Sequence, residues 1–499
     1  MHNSEGSYVA FALYDSNSIK FICCENEVKI AVVPDVERPF CPLPREKLFL
    51  NIESQRDEIN KILERINILL TSNSTSETNN KNNNYKNINQ YGSVTGAAIF
   101  AGVDVLKGNG GRVIVFSSNA CVKGAGSCKP REEKYLHILE KEKQCYIPQN
   151  NVYHKLSEEC NNNKTCVDMF VIGNTQFDFP TISTISNLTG GRAYFYSVNS
   201  TSKVFNNNTS STINATEFNQ KLEKLHYDLS RILTRPNYYG CKLMLRNSLG
   251  IESQEIIGQF GRRLGKGFVQ AAMDPDFCCS YNLRVIEKLT SNTNIHFQLV
   301  ILYVDNYGST YLRTFNLSYL TDNDISKIYY HVDVDAMTKL CIHKQLLSFY
   351  SQQIDKLNIR ESFEKKIVEM LYYYRKKCSE NSPIQQLILP ASVKFIPLYL
   401  TSLLKKNFLR KNKENVSINL AYSEIIKIMR DPLNLTIKYI NPKFYRIDDI
   451  LEDQSEKVDD PENILTNIGL INEDNYICIK PYTLPLSIDY IDFDCKINL

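Results

Sequence analysis

Residues 95–118 read TGAAIFAGVDVLKGNGGRVIVFSS. The first half is small and aliphatic, the composition of a helix that packs closely on its neighbours. Gly108-Asn109-Gly110-Gly111 then ends the helix and turns the chain. RVIVFSS follows as an almost unbroken apolar run, the pattern of a strand buried on both faces. The same alternation continues downstream. VDMFVIGN (167–174) reads as a strand, FPTISTISNLTG (179–190) as a helix and GRAYFYSV (191–198) as the next strand. Apolar strands separated by helices predict a parallel sheet covered on both sides.

Upstream, SYVAFALYD and IKFICC flank Asp15-Ser16-Asn17-Ser18 and predict a hairpin. Residues 48–70 predict an amphipathic helix, with Ile59, Ile62, Leu63, Ile66 and Leu69 on one face. Residues 71–90 form an Asn/Ser/Thr tract with almost nothing to bury, a surface insertion. A second polar tract lies at 206–217, before a helix over Glu217–Thr234.

Further on the character changes. CKLMLRN, IGQFGRR, GFVQAAMD, YNLRVIEKL, HFQLVILYVDN and STYLRTFNL alternate between turn residues and predict an antiparallel unit over 236–322. Residues 324–440 read as helical and 441–499 as short strands and turns. LILPASVKFIPLYLTSLL, Leu387–Leu404, is apolar, but Lys394, Pro390 and Pro397 argue against a membrane span. It predicts a buried helix pair with Pro at the helix starts.

Composition excludes extremes more than it selects a function. Hydrophobic residues make up 43% and charged residues 23%, which rules out a disordered chain and a polytopic membrane protein. A net charge of +3 argues against wholesale nucleic-acid binding. The 15 cysteines include no C-x-x-C pair, so no zinc site is predicted and reduced thiols fit best. The N-terminus lacks the pattern of a signal peptide.

Several motifs suggest chemistry and have simpler readings. Asp15-Ser16-Asn17-Ser18 is similar to a metal-coordinating D-x-S-x-S loop, but Asn replaces the first Ser and a hairpin turn is preferred. Gly108–Gly111 follows a helix instead of opening one, so it does not predict phosphate binding. Gly261–Gly267, GRRLGKG, reads as a basic hairpin tip. The seven His are scattered without a metal pair, and no nucleophile–base constellation is present. Asp333 and Asp335 precede AMTKL as helix caps. The basic cluster Lys405–Lys413 fits either anionic head groups or a solvated helix end.

These segments, in this order, resemble the cargo-adaptor subunit of the inner COPII coat, the Sec twenty-four family. PDVERPFCPLP (34–44) is similar to that family's Pro-rich link. TGAAIFAGVDVLKGNGGRVIVFSS resembles its helix, turn and strand, and Gly124-Ala125-Gly126 with Lys129-Pro130-Arg131-Glu132 its glycine and Arg-Glu segment. YYGCKLMLRNSLG (238–250) is similar to the first barrel strand. Val332–Ala336 opens the helical domain, Leu387–Leu404 is the most specific match, and Phe444–Asp448 closes that domain. The resemblance implies a multidomain fold of α/β, β and α parts. A von Willebrand A-like trunk covers 1–235 with the insertion 71–90, a β-sandwich 236–323, a helical domain 324–450, and the start of a gelsolin-like module 451–499. The family's zinc finger and first trunk strand have no counterpart, so the chain reads as truncated at both ends.

The same resemblance implies a non-enzymatic role; no cofactor is expected, and no metal, because the chain shows no set of four ligands. It implies a heterodimer with the sister inner-coat subunit, peripheral contact with the endoplasmic reticulum membrane from the cytoplasm, and recognition of cargo and SNARE sorting signals. No nucleic acid is implied. The family reads carboxylate signals with two arginines on the first barrel strand. Those positions are Met244 and Arg246 here, and Lys242 shares their face of the strand. The alternative is ordinary exposed charge on a strand edge. Alternative functions are a sister-type (Sec twenty-three-like) subunit that stimulates a Sar-family GTPase, a non-functional divergent fragment, or a metal-dependent adhesion module. The gelsolin-like region that would carry the arginine finger is only begun, and the turn at Asp15 disfavours the adhesion module.

Overall fold

The computed structural model describes residues 6–76, 92–129, 144–173, 177–197, 215–350, 356–380, 383, 389–390, 392–409 and 417–441. The segment expected to begin a gelsolin-like module, 451–499, lies outside these residues, as do Pro130–Glu132, Phe444–Asp448 and most of both polar tracts.

The chain begins with β1 (Tyr8–Val9), β2 (Phe11–Tyr14), β3 (Ile19–Cys24), β4 (Val28–Val33) and β5 (Leu50–Asn51). β2, β3 and β4 form an antiparallel meander, and β5 returns to pair with β1. The turn after β2 is built by Asp15. Its Oδ1 accepts from the N–H groups of Asn17 and Ser18, both at 2.8 Å, and its Oδ2 pairs with Lys20 at 2.9 Å. The predicted helix over 48–70 is displaced. Leu50–Asn51 is a strand and the helix runs over Arg56–Ser76. Ile62 is buried beside Ile22 and Leu50, whereas Leu63 faces outward and is exposed.

The helix Thr95–Leu106 lies between two layers. Ala97, Ala101 and Val105 pack on Ile19, Phe21 and Val33 of the meander. Ile99 and Val103 face the other way, toward Val115, Val167 and Met169. Small residues make this approach possible: a Cβ on Gly96 would sit 2.3 Å from the Ala125 carbonyl oxygen.

β6 (Gly111–Ser117), β7 (Thr165–Gly173) and β8 (Ala193–Ser197) form the expected parallel sheet, in that order. Its other face is covered by the helix Ala215–Thr234, through Leu225, Leu229 and Ile232 against Phe170 and Tyr196. The predicted helix at 179–190 is two short helices, Phe179–Ile182 and Thr184–Thr189, ending at left-handed Gly190 (φ 84°). A helix over Val152–Asn162 precedes β7.

The antiparallel unit contains β9 (Tyr238–Asn247), β10 (Ile251–Gly258), β11 (Arg262–Leu264), β12 (Gly267–Met273), β13 (Cys279–Val285), β14 (Asn294–Val304) and β15 (Thr310–Leu320). Five strands make one sheet, ordered β11-β12-β9-β14-β15, while β10 and β13 pair separately. Cys241, Leu243, Ile256, Phe268 and Tyr303 form the core between them. The stretch IGQFGRR, expected as one strand, is divided between the end of β10 and β11.

The helical part contains Ile325–Tyr330, Val334–Tyr350, Lys356–Cys378, Ile396–Leu404, Ile418–Arg430 and Leu433–Ile440. Asp333 caps the second of these by accepting from the N–H groups of Asp335 and Ala336. The expected helix pair at 387–404 is corrected. Residues 387, 388 and 391 lie outside the described residues; among the described ones 392–395 form a turn and one helix starts at Ile396, with Pro397 in its first turn, where proline loses no helical hydrogen bond. Among the described residues no helix is long and apolar enough to cross a membrane.

Candidate functional site

β9 is the strand on which the three candidate residues lie. Its odd positions Cys241, Leu243 and Leu245 are buried, and its even positions Lys242, Met244 and Arg246 are exposed. Strand alternation therefore presents all three on one face. Burial pushes the Cys241 thiol up to about 12, so the inner face is inert. Met244 is 39% exposed, an apolar side chain between two cations.

The strand-edge reading of Arg246 is corrected by the sheet order. β9 is the middle strand, with β12 on one side and β14 on the other. Lys242 stands opposite Val269 and Leu302, and Met244 opposite Gly267 and Val300. Arg246 stands opposite Gln298, whose next neighbour is Asn316. Directly paired residues project to the same side of a sheet. Arg262 of β11, opposite Val269, therefore joins the same face. Sequence reading assigned Arg262 only to a basic hairpin tip, because its relation to Lys242 exists only through the pairing of β12. No acidic residue is in register on this face. The result is an open, cationic surface with apolar and amide neighbours, suited to a carboxylate-bearing extended ligand.

The other motifs resolve to structure. The Asp15 carboxylate is occupied by its own turn and Lys20. Gly108, Gly110 and Gly111 have positive φ and serve the helix-to-strand turn. Gly265 does the same between β11 and β12. His154 lies 3.8 Å from Glu158 on the surface. Lys406 sits over the Tyr439 ring at 4.3 Å, and residues 410–416 of the basic cluster lie outside the described residues. Among the described residues no group of three or more metal-ligating side chains converges.

A second assembly went unread in the sequence. Arg192, just before β8, pairs with Asp274 after β12 at 2.8 Å and with Asp431 of the helical part at 3.3 Å. Asp276 meets Arg231 at 2.6 Å and also Arg235. Arg430 is buried and donates to the Gly190 carbonyl. Lys339, also buried, donates to the Asp431 carbonyl at 2.8 Å and to Thr436 Oγ1 at 2.6 Å. Arg192, Arg231, Arg235 and Arg430 each reach a different part of the chain, and Lys339 ties Asp431 to its own helical part. This is a fastening between trunk, sandwich and helical parts.

Parallel-sheet trunk, antiparallel sandwich and helical part, fastened at one charged junction and carrying an exposed cationic strand face, define a multidomain scaffold. Residues 3–222 match the Sec23/Sec24 trunk domain and residues 333–438 the Sec23/Sec24 helical domain. Human protein transport protein Sec24B is 26% identical over 455 residues, covering 91% of this chain and 33% of the relative. Protein transport protein SEC24 A of Arabidopsis thaliana is 22% identical over 470 residues, covering 93% and 42%. The crystal structure of the human COPII-coat protein Sec24c superposes with a TM-score of 0.72 at 22% identity, over 90% of this chain and 56% of that one. The chain belongs to the Sec23/Sec24 family, on its Sec24 side. It spans 33% and 42% of the length of these two curated relatives.

Proposed function

We propose that this chain acts as a cargo-selecting subunit of the COPII vesicle coat in transport from the endoplasmic reticulum to the Golgi. In this reading it is a non-catalytic adaptor with domain divisions after residues 235, 323 and 450. It works on the cytoplasmic side, peripheral to the membrane, and pairs with the sister inner-coat subunit. The observation that carries the reading is the joint match of trunk and helical domains on one chain, with relatives that are protein transport proteins along nearly its whole length. Co-purification of the full chain from cells tests it. The sister subunit is expected in the eluate, and a soluble chain that never retains it counts against the assignment.

Sorting signals are read, in this proposal, on the outer face of β9. Lys242, Arg246 and Arg262 supply cations with no acid in register beside them. A solvent-exposed ion pair contributes only about 1 kcal/mol, so acidic peptides bind weakly. Lys242 also lacks the planar fork that grips a carboxylate through two bonds. Met244→Arg should tighten an acidic peptide by about 1–2 kcal/mol through a charge-assisted contact, and the gain should shrink with salt. Fluorescence anisotropy of a labelled acidic peptide measures both. Unchanged affinity in Met244→Arg together with no loss in Arg246→Ala would make this face ordinary surface.

A further inference from the structure

The outer face of the five-stranded sheet is ordered in rows that cross its strands. Arg262, Val269, Lys242 and Leu302 stand in one row, through the pairings of β11, β12, β9 and β14. Leu264, Gly267, Met244 and Val300 stand in the next. Arg246, Gln298 and Asn316 stand in the third, where the Gln298 side-chain amide donates to Asn316 Oδ1 at 3.0 Å. The cations therefore occupy the two flanking rows. From β11 to β14 the row between them holds neither charge nor a hydrogen-bonding side chain. Leu264 and Met244 are 43% and 39% exposed, so this middle row is an apolar strip at the surface. Gly267 keeps the strip low beside Met244, since a Cβ there would lie 1.9 Å from the Leu243 carbonyl oxygen. A strand rises 3.2–3.4 Å per residue, which sets the Cα atoms of Lys242 and Arg246 about 13 Å apart with Met244 midway.

We propose that this face reads an extended acidic segment by spacing: two carboxylate residues four apart with an apolar residue midway. The inference deepens the sorting-signal reading above and rests on it. An extended ligand has the same rise and the same alternation as β9, so its residues i, i+2 and i+4 fall over the three rows together. The carboxylates at its two ends meet Lys242 with Arg262 and, four residues on, Arg246. The side chain between them covers Met244, Leu264 and Val300. The pattern is the same read in either direction, so it holds whichever way the ligand runs. Two acids only two residues apart cannot use both charged rows. One of them falls on the apolar strip, where a carboxylate gives up water and gains no donor. The charge of the face thus selects an acidic ligand, and the apolar row sets the distance between its acids.

Two labelled short peptides of identical composition test this against the full chain, by fluorescence anisotropy at low salt. In the first, two Asp stand four residues apart with Leu midway. In the second, the same residues are rearranged so that the Asp stand two apart and Leu lies outside them. The first should bind about fivefold more tightly, the worth of one exposed ion pair. Exchanging its Leu for Ser should cost about threefold, because part of an apolar side chain returns to water. Met244→Arg puts a cation in the middle row, so it should help the second peptide more and shrink the difference below about twofold. Equal affinity of the two peptides for the wild-type chain, or tighter binding of the second, overturns the spacing. A difference that persists in Met244→Arg does the same, because it would arise on another surface. The sorting-signal reading survives either result if Arg246→Ala weakens both peptides, and it falls together with the spacing if neither peptide binds.

Discussion

Arg192 shows how much of this molecule rests on single buried charges. Burial works against its guanidinium, yet Asp274 and Asp431 hold its pKa above the ordinary value. Burial likewise works to raise the Asp274 carboxyl, and Arg192 and Arg430 overcome this to hold it below the usual range. Arg192→Ala would leave Asp274 and Asp431 without this partner in a dry junction. The expected loss is about 3–5 kcal/mol, the cost of breaking a buried pair. The chain has no tryptophan, so urea unfolding is best followed by far-ultraviolet circular dichroism. A loss below ~1 kcal/mol would show that the carboxylates find water or another cation. Lys339 makes a separate, pH-dependent prediction. Burial depresses its amine from 10.5 to about 8. Between those values the unfolded chain holds a proton that the folded chain has released, so this group's contribution to stability rises with pH across that window. A Lys339→Met chain should lack that rise. Parallel stability curves for the two proteins from pH 8 to above 10 would refute a buried, depressed amine.

Elements meet tightly at Gly190, between the helix Thr184–Thr189 and β8. Its φ of 84° is left-handed, and a Cβ there would lie 1.8 Å from the Ala272 carbonyl oxygen of β12. Gly190→Ala should therefore cost at least ~2 kcal/mol from backbone strain and collision together. Soluble yield and thermal midpoint both report it, and a normal midpoint would mean that β12 can retreat. The elements on either side of this contact were legible in the sequence for a plain reason. β7 and β8 are nearly continuous apolar runs, and the hairpin at Asp15 has its own turn chemistry. The helix Val152–Asn162 was not legible, because its inward face is only Tyr153, Leu156, Ser157, Cys160 and Asn161, too polar to announce a period. The start of the Arg56–Ser76 helix was misplaced because Leu48 and Leu50 are buried for other reasons, one in a short helix and one in a strand. At the candidate site, alternation along β9 was readable and its central place in the sheet was not. The Arg192 partners lie 82 and 239 residues away, beyond any local pattern.

For the whole molecule, the decisive feature is that trunk and helical parts share one core. Phe179 and Tyr146 of the trunk meet Tyr422 of the helical part, with ring centroids 6.2 and 6.4 Å apart. Asn419 accepts from the Phe179 N–H at 3.1 Å, and Ile425, Ile426 and Met429 belong to the same buried cluster as Ile182 and Ile185. The helix Ile418–Arg430 thus covers the side of the trunk that the sheet's own helices leave open, while Arg430 and Asp431 at its end reach the charged junction. Removing it would expose aromatic surface and strip Arg192 of one carboxylate in the same step. A chain ending at residue 323 should therefore not behave as an independent trunk and sandwich. Expected signs are aggregation on size-exclusion chromatography, strong binding of an apolar dye, and loss of the single cooperative melt of the full chain. Tyr422→Ala in the full chain is the milder form of the same experiment. It empties a site packed by two rings and should cost about 3–5 kcal/mol, the range for truncating a large buried aromatic. A truncated chain that stays monomeric and melts cooperatively, with Tyr422→Ala near wild-type stability, would mean that the shared core is a contact between two finished domains instead of the joint that completes them.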